Sequence, residues 1–543
     1  MKKENLIIWG LVVLFAILMS APYIIPHTGF LAMIGLVPLL CMERIATMTG
    51  KKRIWIYHYS AFVLWNAITT FWVCNATVGG GIFAVLANSL QMSLIFGLFR
   101  VSKKKYNGSL PYIFLMAAWI AWERFYFDAE ISWPWLVLGN AFARTTGLIQ
   151  WYEFTGTLGG SLWVWAANLG IFGMLVCLSD GSWFNFNGKA KAAAVIGLLA
   201  TLFIPAAISP IIGHRYEDAM TSSDRNLQVV IVQPNIDPYN KFEAMTQDQQ
   251  NAILEDQIRK ELDSIYTDCT SAPILIVAPE TFTSDIIVGQ YERSRTWRRF
   301  TALLSEYPGV NMLFGASSYE YVASKTRPSH TARRLKDDLW YEAYNSAIMI
   351  DGTGRTEIFH KSKLVVAVEK TPYPAIFCKI DDMLGGVMGR CIGQDEISLL
   401  DVESADERET PIGCAVCYES VYGEYYTGYI NKGAEAMTII TNDAWWGDTP
   451  GYRQHLSYAS LRAIETRRAI ARCANTGISA IVSPSGKILQ PTPWWEPAVI
   501  KGQIPLRNDI TFFVAHGDIT GRVCTFIFML LLLALFVRFV TRR

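Results

Sequence analysis

The chain has 543 residues, of which 51% are hydrophobic and 17% are charged. It is too apolar for an ordinary soluble enzyme and long enough for two domains. The formal net charge of +1 gives no reason to expect a nucleic-acid partner.

The first 211 residues contain seven long apolar runs, each near the ~20 residues that a helix needs to span a bilayer. Lys2 and Lys3 before the first run would suit a cleaved signal peptide, but the closely following runs indicate a retained anchor. We therefore predict a bundle of about seven spans over 1–211 and a C-terminal span with a basic tail over 521–543. The runs cover residues 6–24, 28–44, 56–76, 79–99, 110–128, 158–178 and 191–210, and the last run covers 522–537.

The basic residues fall in alternate loops, which predicts the orientation. Lys and Arg occur before the first run, in the loops near 44–53, 100–105 and 189–191, and in the C-terminal tail, whereas the loops near His27 and over 75–79 have none. We expect both termini in the cytoplasm and residues 212–520 on the periplasmic side of a bacterial inner membrane.

Residues 212–520 show a different pattern, in which short strand-like runs alternate with helical patterns. This alternation predicts an α/β domain with a largely buried sheet, and such sheets bind ligands at the carboxyl ends of their strands. The strand-like runs are 229–232, 274–277, 310–314, 346–350, 414–416, 436–440 and 478–482, and the helical patterns include 243–266 and 452–472.

Three reactive side chains follow such strands: Glu280, Lys361 and Cys417. A cysteine nucleophile needs a base and a donor for the oxyanion, and these partners are close in space rather than in sequence. Cys417 and Lys361 also have plainer interpretations, because a free cysteine often packs as a small hydrophobe and a lysine often forms a structural salt bridge.

A Glu-Lys-Cys triad in this order resembles that of the nitrilase superfamily, and the whole chain resembles its membrane-bound branch, the apolipoprotein N-acyltransferases. The motifs that carry the resemblance occur in family order and are Gln233-Pro-Asn-Ile236, Ala278-Pro-Glu280, His360-Lys-Ser-Lys-Leu-Val365 with Glu369, Cys417-Tyr-Glu419, Thr441-Asn-Asp-Ala-Trp-Trp-Gly447, Gln454-His455 and Arg472-Cys-Ala-Asn-Thr-Gly477.

The resemblance implies a nitrilase-like α-β-β-α sandwich inserted between the transmembrane bundle and a C-terminal transmembrane helix. It also implies transfer of an sn-1 acyl chain from a phospholipid, typically phosphatidylethanolamine, through a thioester to the α-amine of a diacylglyceryl-cysteine on an apolipoprotein. No cofactor or metal is implied, and the His residues show no metal-ligand spacing.

The resemblance further implies a role for each site residue. Glu280 would take the thiol proton, Cys417 would attack the ester, and Lys361 would hold the oxyanion with a backbone N–H at or just after Cys417. Glu369 and Glu419 would orient Lys361, and Tyr418 would belong to the site. Phe242 lies where the family places an aromatic residue near the acyl chain, although a lid or core aromatic residue fits the sequence equally well.

The sequence departs from the family pattern at two places. Leu364-Val-Val-Ala-Val-Glu369 lacks the Pro and Gly that usually precede the glutamate, and Ala278 replaces the usual Trp. These changes bear on the loop before Glu369 more than on the chemistry. The segment Ser132–Gly139 matches a family loop, but a Trp-rich interfacial belt explains it equally well.

The cysteines raise two further questions. Cys414 and Cys417 read superficially as a redox pair, but residues three apart in a strand face opposite sides. Cys378 and Cys391 could form a disulfide in an oxidising compartment, and the sequence leaves this open.

Two other functions remain open. One is a membrane-tethered amidase or nitrile hydrolase with the same triad. Against it, the soluble substrate of such an enzyme would give no reason for so many spans. The other is a non-catalytic lipoprotein-handling protein on a decayed fold, against which the intact triad argues.

Overall fold

A computed structural model describes residues 2–216, 218, 220, 223, 225–238, 241, 245–266, 273–383, 385–386, 388–404 and 408–541. The chain divides into two compact units. The first comprises residues 1–215, 448–457 and 516–543, and the second comprises 216–447 and 458–515. The sequence-based boundaries at 211 and 520 stay a prediction.

The first unit is helical, and its longer helices coincide with the predicted apolar runs. Its helices are α1 (Lys2–Ile24), α2 (Ala32–Gly35), α3 (Val37–Met48), α4 (Ile54–Thr70), α5 (Val73–Ala76), α6 (Val78–Ser102), α7 (Leu110–Asp128), α8 (Tyr152–Ser179), α9 (Ser182–Asn185) and α10 (Gly188–His214). Near the C-terminus the chain forms a last long helix, Ile519–Val540.

Within the described residues, six segments are long and apolar enough to cross a membrane: 3–24, 29–48, 78–102, 152–179, 188–214 and 519–540. The other two predicted spans also form helices. Helix α4 has only 17 residues, and α7 carries Glu123, Arg124 and Asp128. Six of the eight predicted spans therefore have the required length and apolarity.

Several buried polar side chains in the first unit are paired, which lowers the cost of burying them. Glu43 on α3 accepts a hydrogen bond from Lys103 Nζ at 2.6 Å and lies 3.7 Å from Arg100 Nε. Gln454, within 448–457, accepts a hydrogen bond from Trp135 Nε1 at 2.7 Å and donates to the Thr69 carbonyl at 3.1 Å. These contacts fix residues 448–457 among the helices of the first unit.

The second unit is built from two sheets and several helices. Its strands are β1 (Asn226–Gln233), β2 (Ile274–Val277), β3 (Thr283–Ile287), β4 (Val310–Ala323), β5 (Arg333–Lys336), β6 (Leu339–Asp351), β7 (Thr356–His360), β8 (Leu400–Glu403), β9 (Glu409–Val416), β10 (Ala436–Thr441), β11 (Ile470–Ala474), β12 (Ala480–Val482), β13 (Ile488–Leu489) and β14 (Ala498–Pro505). The remaining helices of the whole chain, in order, are α11 (Gln247–Tyr266), α12 (Arg295–Leu304), α13 (Pro374–Met383), α14 (Gly423–Asn431), α15 (Pro450–Thr466), α16 (Phe512–His516) and α17 (Ile519–Val540). Of these, α17 and the first part of α15 belong to the first unit.

The first sheet has the order β14-β1-β2-β4-β6-β5, with β3 beside β4 and β7 beside β6. The second has the order β13-β12-β11-β10-β9-β8. Strands β1, β2 and β4 are parallel to one another, as are β9, β10 and β11. Parallel neighbours end at the same edge of a sheet, so the loops after them converge.

Alternate residues of β1 belong to two different cores. Leu227, Val229 and Ile231 pack with residues of the second sheet, whereas Val230 and Val232 pack with α11 and α12. Period-two alternation places successive side chains on opposite faces of a strand. Both faces of the sheet are therefore covered, which gives the predicted α-β-β-α sandwich.

One predicted element is wrong at its end. We expected a helix over 452–472, but α15 ends at Thr466 and β11 begins at Ile470. The chain turns at Arg467, whose φ of 51° is left-handed. Strand β11 then pairs with β10, so sheet pairing prevails over the helical pattern here.

Candidate active site

Glu280, Lys361 and Cys417 each lie just after the carboxyl end of a strand. Glu280 follows β2, Lys361 follows β7, and Cys417 follows β9. The structure brings the first two into direct contact, with Lys361 Nζ 3.1 Å from Glu280 Oε1. Burial and electrostatic coupling to both groups set the ionisation of the Cys417 thiol.

Lys361 is completely buried and lies between two carboxylates. Its ammonium also donates to Glu369 Oε1 at 2.8 Å. Burial lowers the pKa of Lys361, but the Glu280 and Glu369 carboxylates more than offset this effect and hold it well above its ordinary value. Lys361 is therefore a permanent positive charge in a dry site, where its field is strongest.

Glu280 is held from several sides. Asn442 N–H donates to its Oε2 at 3.1 Å, and Asn345 Nδ2 donates to its Oε1 at 2.8 Å. Lys241 is buried and donates to the carbonyl of the next residue, Thr281. Burial lowers the pKa of Lys241 to about 8, against the opposing effect of Glu280.

The backbone beside Glu280 is tightly packed. Thr281 has a left-handed φ of 47°. Gly315 on β4 lies against this turn, so a Cβ at this position would be 2.4 Å from Glu280 Cα. Glycine is thus required on β4 for the close approach of the strand to the carboxylate.

Cys417 begins a 3₁₀ turn, Cys417–Val421, with a left-handed φ of 53°. Such a conformation costs a non-glycine residue on the order of 1–3 kcal/mol and is characteristic of functional sites. Burial, reinforced by the Glu280 carboxylate, raises the pKa of Cys417 well above its ordinary value, whereas Lys361 lowers it. The resting thiol is therefore protonated and needs a base.

Glu419 binds backbone groups on both sides of the site. Its Oε1 accepts hydrogen bonds from Ser362 N–H at 2.6 Å and Lys363 N–H at 3.1 Å, and its Oε2 accepts one from Val416 N–H at 2.8 Å. These hydrogen bonds join the backbone that follows Lys361 to the backbone that precedes Cys417. Burial raises the pKa of Glu419 to about 7, even though the Val416 N–H lowers it.

Glu369 receives the Lys361 ammonium despite the absent Pro and Gly before it. Its Oε2 also accepts a hydrogen bond from Val365 N–H at 2.7 Å, and its own N–H donates to the Val365 carbonyl at 2.8 Å. Ala367 adopts a left-handed φ of 67° within this turn. The loop therefore closes around Glu369 without a Pro or Gly before it.

The two aromatic predictions have different outcomes. Tyr418 follows Cys417, is buried, and packs edge-to-face on Tyr422 with ring centroids 5.2 Å apart. Phe242 lies outside the described residues, and its role stays a prediction.

Sequence reasoning gave no role to several polar residues at the site. Asn345 on β6 bridges the two carboxylates, donating to Glu280 and, at 2.7 Å, to Glu369. Asp443 accepts hydrogen bonds from Thr441 Oγ1 at 2.8 Å and Arg472 at 2.6 Å, and Thr441 hydrogen-bonds to the Cys417 side chain. Asn345 directly precedes a predicted strand run, and a polar residue there was the available signal.

Among the described residues, the other cysteines are not arranged for redox chemistry. Cys378 and Cys391 are both free thiols. Cys414 is buried in the core between the sheets, where burial raises its pKa to about 12. In the described residues, no group of three or more His, Cys, Asp and Glu side chains is arranged to hold a metal ion.

Two family models match separate parts of the chain. Residues 15–170 match the apolipoprotein N-acyltransferase N-terminal domain, and residues 274–508 match carbon-nitrogen hydrolase. The apolipoprotein N-acyltransferase of Chlorobaculum tepidum is 29% identical over 515 residues, which cover 92% of this chain and 90% of that protein. The chain belongs to the apolipoprotein N-acyltransferase family.

Other apolipoprotein N-acyltransferases support the assignment over similar lengths. The Geobacter metallireducens protein is 25% identical, covering 94% of this chain and 92% of its own. The Pseudomonas syringae protein is 26% identical, covering 87% and 85% respectively. These matches confirm the family and the predicted fold, and they make the chain an acyltransferase.

Proposed function

We propose that this family member transfers an acyl chain from the sn-1 position of a phospholipid to the α-amine of an apolipoprotein's N-terminal diacylglyceryl-cysteine. Phosphatidylethanolamine is the proposed donor. The observation that carries the proposal is the buried Lys361–Glu280 ion pair, to which the Cys417 thiol is electrostatically coupled. The chain also has, within its described residues, six helices long and apolar enough to cross a membrane.

In the first step, Glu280 takes the proton of the Cys417 thiol, and Sγ attacks the carbonyl carbon of the ester. The bond from the carbonyl carbon to the glycerol oxygen breaks, and this oxygen leaves with the proton from Glu280. The products are a thioester on Cys417 and a lysophospholipid.

In the second step, the α-amine of the diacylglyceryl-cysteine attacks the thioester carbon. The carbon–sulfur bond breaks, an amide forms, and the amine proton returns through Glu280 to the thiol. Both steps pass through a tetrahedral oxyanion, which we assign to Lys361 and a backbone N–H at or just after Cys417. Preorganised donors of this kind contribute roughly 2.7–4 kcal/mol each.

We further propose a multi-pass arrangement in a bacterial inner membrane, with residues 212–520 in the periplasm and both termini in the cytoplasm. The alternation of basic and uncharged loops supports this orientation. A phospholipid donor also gives a physical reason for an acyltransferase that carries long apolar helices.

The test is transfer of a labelled acyl chain from phosphatidylethanolamine to a synthetic diacylated lipopeptide, with Cys417→Ala as the control. We expect an N-terminal amide on the lipopeptide. Release of free fatty acid or hydrolysis of soluble amides without lipopeptide product would favour the amidase alternative. If neither the phospholipid acyl chain nor the soluble amide is consumed in any arm, the result would favour a non-catalytic protein.

A further inference from the structure

Asn345 lies at the centre of the charged cluster, although sequence motifs gave it no role. It is buried on β6, and its backbone pairs with Ser317 of β4. Its carbonyl accepts the Lys361 N–H at 2.8 Å. The same residue therefore fixes the start of the Lys361 segment and presents its amide to the carboxylates.

The Asn345 amide and the Lys361 ammonium contact the same two oxygens. Nδ2 lies 2.8 Å from Glu280 Oε1 and 2.7 Å from Glu369 Oε1, while Lys361 Nζ lies 3.1 Å and 2.8 Å from them. The opposite amide orientation would point Oδ1 at two carboxylates, so electrostatics dictates this one. In this orientation Asn345 Oδ1 is buried without a hydrogen-bond partner, whereas Nδ2 donates to both carboxylates.

We propose that Asn345 is a positioning residue of the acyl transfer, which holds the Glu280 and Glu369 carboxylates in place while Lys361 serves the oxyanion. The role rests on the proposed function. When an oxyanion forms, the Lys361 ammonium must share its charge with a third oxygen. A neutral donor keeps the two carboxylates in place during that time and does not compete for the oxyanion, since its protons already point at them.

A hydrogen bond to the charged form of a carboxylate favours that form, so removal of a donor should move the acid limb of a reaction that needs the carboxylate charged. The other titratable groups coupled to the two carboxylates or to the thiol are Lys241, Lys361, Cys391, Cys414, Cys417 and Asp443. All of them remain when only Asn345 is changed. The acid limb of the pH–rate profile is therefore the specific readout.

The experiment compares Asn345→Leu, which keeps the size but removes the donor, with Asn345→Ser, which keeps one short donor. Asn311→Leu is the matched control, because Asn311 is equally buried on the neighbouring β4 but donates to the Glu403 carbonyl. Two rates are measured from pH 5 to 10 in the full-length protein: thioester formation from phosphatidylethanolamine, and alkylation of Cys417 by iodoacetamide.

We expect the acid limb of Asn345→Leu to move up by about one to two pH units, which is a 10- to 100-fold slower rate below the limb. Asn345→Ser should show a smaller shift and gives the readout if the leucine variant does not fold. Asn311→Leu should leave the limb in place. An equal loss at every pH, or no loss, would overturn the proposal.

The alkylation arm separates this proposal from the function on which it rests. If wild type is alkylated but forms no thioester, the proposed function fails, and the alkylation limb still decides the role of Asn345. If wild type forms the thioester and the Asn345 variants show no limb shift in either reaction, only the Asn345 role is wrong.

Discussion

Cys417 and Cys414 are three residues apart, yet their surroundings differ. Cys417 is coupled to Glu280 and Lys361, whereas Cys414 is 1% exposed in the apolar core. Cys417→Ala should abolish both thioester and amide formation. Cys414→Ala should cost about 1 kcal/mol of unfolding free energy, since it removes only a small buried group, and should keep activity. An active Cys417→Ala together with an inactive Cys414→Ala would show that Cys417 is not the nucleophile.

Glu280 and Lys361 can be separated by pH. Glu280→Gln removes the base and also a negative charge that raises the pKa of Cys417, so alkaline pH should restore part of the acylation rate. Lys361→Ala removes the oxyanion donor, so its roughly 10²–10³-fold defect should persist at high pH. The measurement is thioester formation from pH 6 to 10, with folding checked first.

The control for this comparison is Lys361→Arg, which keeps the charge but replaces a compact ammonium with a planar guanidinium. We expect it to be poor as well, because Lys361 is completely buried. Full alkaline rescue of Lys361→Ala would mean that Lys361 acts only through ionisation of the thiol.

Glu419 makes stability depend on pH. Burial raises its pKa in the folded state to about 7 from an ordinary value of 4.5, so the folded state binds more protons than the unfolded state between these values. Stability should therefore fall as pH rises from about 5 to 7, by on the order of 3 kcal/mol from this group. Glu419→Gln should remove that dependence, which thermal unfolding from pH 5 to 8 would measure.

The control is Glu396→Gln, because Glu396 is largely exposed and should leave the pH dependence of wild type intact. A Glu419→Gln protein with the wild-type pH dependence would show that Glu419 stays ionised throughout this range.

At the scale of elements, the site depends on the close approach of β4 to the turn after β2. A Cβ on Gly315 would lie 2.4 Å from Glu280 Cα and 2.6 Å from Thr281 N, and both are backbone atoms. Gly315→Ala should therefore displace Glu280, lower thioester formation at least tenfold, and cost about 1–3 kcal/mol of stability.

The matched control is Gly502→Ala on β14 of the same sheet. There the added Cβ meets the end of the flexible Ile481 side chain, which can move aside. We expect near-wild-type activity for this variant. Similar losses in both variants would show that the sheet, rather than the position of Glu280, is sensitive.

Local patterns predicted the strands before Glu280 and Cys417, because each ends in a buried apolar run that leads to a polar group. Run 274–277 coincides with β2, and run 436–440 lies within β10. They failed at β11, where Arg472 interrupts the apolar pattern yet is buried against Asp443. The role of Asn345 depends on the register of β4, β6 and β7, and a single strand pattern does not contain cross-strand register.

At the scale of the whole molecule, the two units differ in secondary structure and in hydrophobicity. The first is made of long apolar helices, and the second is a sandwich with the reactive cluster at the strand ends. Reporter fusions in the 180–190 loop and within 320–335 should report opposite sides of the membrane, because basic loops alternate with uncharged ones. Both reporters on one side would overturn the proposed orientation.

The central claim is that one sulfur carries the acyl chain between two substrates. Incubation of the full-length protein with phosphatidylethanolamine alone, followed by intact-mass measurement under conditions that preserve thioesters, tests it most directly. The account predicts one added acyl mass, located on Cys417, together with an equal amount of lysophospholipid and before any lipopeptide is present. An unmodified mass in a preparation that forms the amide when lipopeptide is added would contradict it, because the chain would then pass directly from donor to acceptor.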